Sequence, residues 1–368
     1  MPTEAGGSGA LTVPPRWEDV SAAWMTRALA SVDPALDVAD VTLDLRDDGT
    51  NRRARFGVKY RVGDGPASVF VKAESDVPGR REIHAKNGNL FNEALLYRSR
   101  VELPLEHPHA YASVVDEPNL DYVIVMEDLL ARGADPLHSL RPLTVAHAAR
   151  GLEGLARLHS RFWNAVDGES ALRWVQPFAP TEGLLRPMRK GTALGIERAR
   201  EALPHTVTVL DGQALVDVTW ASYLTQLSTG PQTLLHGDPH IGNTYLVGDD
   251  VGFLDWQVVR RGHWSHDVGY FLQSALTVDE CRRHEADLVE RYRTALDVPD
   301  GTRPSASEAW LRYRATPVHG LVMWAVTLLS DVHVTERSLE LVRRYGAAFA
   351  DLDTADAIAE VLQLVQGK

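Results

Sequence analysis

Apolar residues recur at period two in three early runs. Val41–Leu45 alternates apolar with polar positions, Arg55–Val62 carries Phe56, Val58, Tyr60 and Val62, and Ser68–Lys72 carries Val69, Phe70 and Val71. Turn signals at Asp47-Asp48-Gly49 and Gly63-Asp64-Gly65-Pro66 separate the runs, which predicts an antiparallel meander. Upstream, the run from Trp17 places Val20, Trp24, Ala28 and Leu29 on one helical face, and Pro34 ends it. A polar stretch, Ser75–Asn89, reads as a loop before a helix bearing Leu90, Ala94, Leu95 and Tyr97. Tyr122–Met126 is almost wholly apolar and predicts an interior strand.

Beyond Leu130 the period changes to that of helices. Val145–Trp163 carries Leu152, Leu155, Ala156, His159 and Phe162 on one stripe. Helical patterns recur over Leu184–Leu203, Gln213–Leu227, Val278–Leu296, Ala306–Leu329 and Leu339–Val365, interrupted by one β island, Leu234–Trp256. The expected organisation is a flexible tail (1–13), a sheet-rich part (14–130) and a larger helical part (131–368). That is an α+β, two-part arrangement, and the cleft between such parts is where a small-molecule site is expected.

Composition narrows the function classes. With 44% hydrophobic and 24% charged residues over 368 positions, the chain reads as an ordinary globular protein. A net charge of −12 argues against sequence-independent nucleic-acid binding, and the short basic clusters are scattered. The lone Cys281 excludes an intrachain disulfide and a cysteine-based zinc site, and fits a cytoplasmic location. The first residues show no basic region followed by an apolar run, so no leader peptide is expected, and no stretch is long enough for a membrane span.

The chemistry concentrates in His236-Gly237-Asp238-Pro239-His240-Ile241-Gly242-Asn243 and in Val251-Gly252-Phe253-Leu254-Asp255-Trp256. Thr244–Val247 and Val251–Leu254 read as strands joined by the turn Gly248-Asp249-Asp250. In an antiparallel hairpin, Asn243 before the first strand and Asp255 after the second come to the same end, one tight loop from Asp238. Two carboxylates and an amide converging there suit Mg²⁺ held together with waters and substrate phosphates.

His-x-Asp-x-x-x-x-Asn followed by an apolar strand ending in Asp resembles the catalytic and metal-binding segments of the protein-kinase-like superfamily. With His-Gly-Asp at its head, it is most similar to the aminoglycoside phosphotransferase family of small-molecule kinases. The continuation Gly262-His263-Trp264-Ser265-His266-Asp267-Val268-Gly269-Tyr270 is similar to that family's next segment. The resemblance implies a bilobal protein-kinase-like fold, with a small antiparallel-sheet N-lobe that binds nucleotide and a mainly helical C-lobe. It implies transfer of a phosphoryl group from ATP, with Mg²⁺, to a hydroxyl of a small molecule. Asp238 would take or orient the acceptor proton, Asn243 and Asp255 would hold Mg²⁺, His236 would be a scaffold residue, and Asp267 would bond the catalytic-loop backbone. Phosphoryl transfer has a loose, charge-rich transition state, so positioning and neutralisation supply most of the catalysis.

By the same resemblance Lys72, on the third strand, would meet the α- and β-phosphates. Its ion-pair partner is expected to be Glu93, with Glu82 the competitor. Met126, Glu127, Asp128 and Leu129 would form the hinge that meets adenine. The chain departs from the three-glycine phosphate loop: Asp47–Arg53 holds one glycine, leaving Gly49, Thr50 and Asn51 as phosphate candidates against a plain hairpin turn. On the acceptor side, seven of the nine tryptophans follow residue 130. Most are expected in the core, but Trp256 and Trp264 flank the key aspartates. With His240 and residues of Ala306–Asp331 (Arg312, Tyr313, Arg314, His319, Trp324, Asp331), they are the pocket candidates for a sugar, an antibiotic or a bulky, partly apolar alcohol. Two other readings compete. A metal-dependent phosphoesterase built on His236, Asp238, His240, His263 and His266 needs dispersed motifs, and here the pieces are compressed. A catalytically silent binding module is opposed by the joint presence of Lys72, Asp238, Asn243 and Asp255. His240 and the lack of an Ala-Pro-Glu signature oppose a protein kinase.

Overall fold

Period-two alternation yields a five-stranded antiparallel sheet: β1 (Asp37–Arg46), β2 (Arg52–Val62), β3 (Ser68–Ala73), β4 (Ala110–Asp116) and β5 (Asp121–Glu127), in the order β1-β2-β3-β5-β4. The computed structural model describes residues 10–86, 88–330 and 334–366. β5 lies between β3 and β4, and its apolar run is buried, as an interior strand requires. β4 escapes the pattern because every one of its residues is only half-buried, so it carries no clean alternation.

One face of the sheet, with Val38, Phe56, Val58, Val69, Val71 and Val125, packs against Trp17, Trp24 and Met25. Trp24 belongs to helix α1 (Ala22–Ala28), capped by Ser21, whose Oγ accepts from the Trp24 amide. The flexible tail expected over residues 1–13 is corrected at its end. Leu11 and Val13 pack against this core, and Thr12 O accepts a 2.8 Å bond from Trp24 Nε1. Residues 1–9 of that expectation lie outside the described residues. The polar loop expected at Ser75–Asn89 contains helix α2 (Arg80–Lys86); charged residues there are good helix formers even without an apolar stripe. Helix α3 (Asn92–Ser99) follows, with Ala94 O accepting from Ser113 Oγ of β4.

The chain forms two compact units, one of residues 1–100 and 108–133, the other of 101–107 and 134–368. The segment 101–107 groups with the second unit because Glu106 O accepts from the Phe253 amide and Glu106 Oε1 from the Tyr245 hydroxyl. In that unit α4 (Val145–Arg161) and α5 (Glu182–Arg198) lead to α6 (His205–Thr208) and α7 (Gly212–Ala214). A π-helical stretch, Leu215–Trp220, joins α7 to α8 (Ala221–Gln226). The β segment comprises β7 (Thr233–Leu235), β8 (Thr244–Val247), β9 (Asp250–Phe253) and β10 (Arg260–Gly262); β8 also pairs with the short β6 (Asp135–Pro136).

The remaining helices are α9 (Ser265–Ala275), α10 (Val278–Ala295), α11 (Ala306–Arg314), α12 (Pro317–Thr327), α13 (Thr335–Asp351) and α14 (Thr354–Gln366). Two helices expected to be continuous are each divided. Pro317 starts α12 because it has no amide to continue α11, and Asp353, at φ +46°, turns the chain between α13 and α14. α9 carries no stripe because every one of its residues is buried.

Helices α5 and α12 approach so closely that a Cβ at Gly195 would lie 2.0 Å from Ala325 O. Gly195→Ala therefore has to separate two backbones. It is expected to destabilise the protein by about 2–3 kcal/mol, read as a fall in the denaturant midpoint.

Candidate active site

The hairpin register does what strand spacing demands. Thr244 pairs with Phe253, and Leu254 N donates to Asn243 O at 2.9 Å, carrying the ladder one step past the strands. Asp255 follows at φ +67°, a left-handed conformation uncommon for a residue with a side chain and a sign of local strain. Asn243 Nδ2 donates to both the backbone oxygen (2.9 Å) and Oδ2 (3.0 Å) of Asp238. The amide nitrogen is thus committed to Asp238, which leaves Oδ1 as the end that can reach a cation.

The Asp238 loop is anchored from below. Asp267, on α9 and fully buried, accepts from His236 N (2.7 Å), Gly237 N (3.0 Å) and His159 Nε2 (3.3 Å). Burial works to raise the Asp267 pKa, but the hydrogen bond from His159 helps to hold it below the usual aspartate value. His236 donates through Nε2 to Leu254 O at 3.1 Å and accepts at Nδ1 from the Asp238 amide, joining the two strands of chemistry through one neutral imidazole. Burial lowers its pKa, in keeping with that neutral form. Gly237, at φ +85°, has no substitute: a Cβ there would lie 2.1 Å from Val258 O. His266 donates through Nε2 to Gly237 O at 3.0 Å while its Nδ1 meets the Tyr223 hydroxyl.

The Asp238 side chain itself is 30% exposed. Partial burial, and then the charge of Asp255, push its carboxyl up to about 8, against hydrogen bonds from Tyr270 and Asn243 that work to lower it. Asp238 and Asp255 are close enough to act on each other, and the Asn243 amide is bonded to the first of them. Among the described residues no group of three His, Cys, Asp or Glu gathers to hold a metal unaided. His236, His263 and His266 are instead spent on hydrogen bonds to Leu254 O, Ser265 and Gly237 O. A cation here would need ligand oxygens from a substrate as well.

In the sheet unit, Lys72 Nζ and Glu93 Oε2 form a 2.6 Å ion pair, both side chains nearly inaccessible. Glu82 stands exposed on α2. Asn51 is buried and donates to the Tyr122 hydroxyl at 2.8 Å, so its side chain serves the sheet, while Arg80 braces the turn through Gly49 O and Thr50 O. Asp128 accepts from Ser68 Oγ and from the Leu130 amide, Glu127 accepts from the His109 amide, and Met126 is buried. Leu129 is half-buried at the end of this stretch.

The acceptor candidates separate. Trp256 packs on His236 (4.5 Å between ring centres) and Trp264 stacks on Tyr292. Both are fully buried, which corrects their expected place on a pocket wall to one inside the core. His240 remains near Asp238 (Nε2 to Oδ2, 3.7 Å) with Trp324 edge-on at 4.8 Å. Arg312 lies with Thr229, Tyr313 bonds the buried Glu285, Arg314 bonds Leu352 O, and His319 accepts from Trp220 Nε1. Asp331 lies outside the described residues. Sequence reasoning missed Tyr270, which acts on Asp238; its place on α9, one turn after Asp267, is the signal that could have found it.

Substituting Asp267→Asn sets an amide against backbone donors and removes the charge that His159 partners. About 3 kcal/mol of stability is expected to be lost at neutral pH, measured by urea unfolding. Because its folded pKa is depressed, the wild-type advantage is present above the unfolded aspartate value and fades as pH falls through the folded one.

A sequence model of the phosphotransferase enzyme family matches residues 59–305. No curated protein sequence matches the chain. Among solved structures, one from Ralstonia eutropha, named as a candidate aminoglycoside phosphotransferase, is 14% identical. It covers 91% of this chain and 96% of its own, with a TM-score of 0.53, and so shares the fold. A choline/ethanolamine kinase family protein from Mesorhizobium loti is 17% identical over 87% of this chain and 92% of its own, at a TM-score of 0.45. An ethanolamine kinase from Plasmodium vivax is 11% identical over 90% and 87%, at 0.46.

Proposed function

The chain belongs to the phosphotransferase enzyme family, and from that premise we propose that it is a small-molecule kinase, moving the γ-phosphoryl group of ATP to a hydroxyl of a small molecule, with Mg²⁺. The observation that carries this reading is the joined loop and hairpin, in which Asn243 holds Asp238 and the ladder delivers Asp255 beside them. The acceptor oxygen attacks the γ-phosphorus, the bond to the β,γ-bridging oxygen breaks, and ADP leaves. The acceptor proton passes to an Asp238 carboxylate oxygen.

Asn243 and Asp255 are assigned to the cation, and the donor set fits one: an amide oxygen, and carboxylates whose mutual repulsion a cation relieves. When bound, Mg²⁺ supplies neutralisation of the phosphate oxygens. Lys72 is assigned to the α- and β-phosphates, its ammonium held in place by Glu93. The Gly49–Thr50 turn is assigned to phosphate contact and the Met126–Leu129 stretch to adenine, there through backbone groups, since the Asp128 and Glu127 side chains serve local bonds. His236 and Asp267 are positioning residues.

For the acceptor, His240 and Trp324 present an aromatic wall next to Asp238, in favour of an alcohol that is partly apolar. A cytoplasmic location is part of the same proposal, and no helix among the described residues is long and apolar enough to cross a membrane.

ADP release should appear in an acceptor screen spanning sugars, aminoglycosides, macrolides and hydroxylated lipids. Asp238→Asn is expected to lower kcat by about 10²–10⁴ while calorimetry shows Mg-ATP binding nearly unchanged; near wild-type turnover on the true acceptor would remove Asp238 as the base. Asp255→Ala should abolish transfer and weaken Mg-ATP binding together. Lys72→Ala should chiefly impair productive nucleotide positioning, and unchanged kinetics would take it out of the site.

A further inference from the structure

Helix α2 is tied to the end of the strand that carries Lys72. His84 Nδ1 meets Glu74 Oε1 at 2.9 Å, and Arg81 donates through Nε to Ser75 O at 2.8 Å. Glu74 and Ser75 directly follow β3 and are buried. Arg81 also pairs through Nη1 with Asp121 Oδ2 at 2.9 Å, at the start of β5. The first residue of the helix, Arg80, reaches elsewhere. Its Nη1 donates to Gly49 O at 3.0 Å and to Thr50 O at 3.3 Å, both in the turn between β1 and β2.

A trans peptide points its C=O and the N–H that follows in opposite directions. With Gly49 O and Thr50 O turned to one guanidinium, the amides of Thr50 and Asn51 are turned away from it. Among the described residues neither amide donates to a protein acceptor. Two successive amides facing one way make a concave donor pair suited to an anion, and Thr50 is exposed, so the pair is within reach of a ligand. The acids of the turn do not oppose one, since Asp47 is paired with Arg53 and Asp48 with Arg46. Bonds hold the base of the turn: Asp47 N donates to Arg53 O, and the Asn51 side chain to the Tyr122 hydroxyl. At its tip, Arg80 fixes the two peptide planes.

We propose that Arg80 is a positioning residue for nucleotide phosphate. It acts through the Gly49–Thr50 turn, aiming the Thr50 and Asn51 amides at a phosphate oxygen, and does not itself touch nucleotide. Through α2 it also sets that turn in the same frame as the end of β3, so that the amide pair and the Lys72 ammonium keep a fixed spacing along the phosphate chain. The proposal rests on the phosphate role assigned above to this turn.

Calorimetry with Mg-ATP and with adenosine, in the absence of acceptor, tests this. Arg80→Ala should bind Mg-ATP about tenfold more weakly than wild-type protein does, and adenosine equally well, because adenosine has no phosphate for the turn to hold. Arg80→Lys keeps a charged donor for one carbonyl and should recover part of the loss. Without nucleotide, hydrogen exchange at the Gly49 amide, which donates to Asn51 O at 2.9 Å, should quicken about tenfold in Arg80→Ala. That last readout separates action through the turn from direct contact with phosphate. Undiminished Mg-ATP binding in Arg80→Ala, an equal loss for adenosine, or unchanged exchange at Gly49 overturns the proposal and leaves the kinase reading standing. No uptake of Mg-ATP by wild-type protein overturns both.

Discussion

A single buried carboxylate holds the catalytic segment in shape. Asp267 takes the amides of His236 and Gly237 and the ring of His159, so the turn that presents Asp238 is pinned to helix α9 rather than left to its own flexibility. A charge in a dry interior is tolerated only when hydrogen bonds surround it, and here the surrounding donors are the loop's own backbone. The cost of burying the charge and the order of the loop are therefore one and the same interaction. His236 extends it upward by bonding Leu254 O, which ties the Asp238 turn to the end of the hairpin that carries Asp255.

The sheet unit uses a buried pair differently. Lys72 and Glu93 are both nearly inaccessible, and such a pair contributes little net stability because desolvation offsets attraction. What it achieves is placement, since an ammonium held at 2.6 Å by a carboxylate on α3 cannot swing away from its strand. Arg52 shows a second form of the same restraint. Its guanidinium bonds Glu74 O and Pro15 O and lies 5.0 Å from the Trp17 ring, stitching the N-terminal segment to the strand next to Lys72's own. Arg312 differs from both. It is buried and bonds Thr229, with no carboxylate within ion-pair distance among the described residues.

Much of the site was legible along the chain because its decisive relations are local. The hairpin spacing already placed Asn243 and Asp255 at one end, and the strand register follows from turn length and period-two alternation. Elements escaped where the amphipathic signal vanishes: α9 is buried on every side, β4 is half-buried throughout, and α2 is too polar to show a stripe. Trp256 and Trp264 misled because adjacency to an aspartate in sequence says nothing about which way a ring faces; both turn into the core.

The sequence by itself determined the α+β order, the hairpin and the residue types gathered at its end, since backbone geometry over ten to fifteen residues decides these. Tertiary structure alone decided that Lys72 meets Glu93 and not Glu82, that Asn51 serves Tyr122, that Tyr270 bonds Asp238, and that Arg312 bonds Thr229. Those partners are separated by tens of residues, so their meeting depends on how whole helices and strands pack, which no local pattern encodes.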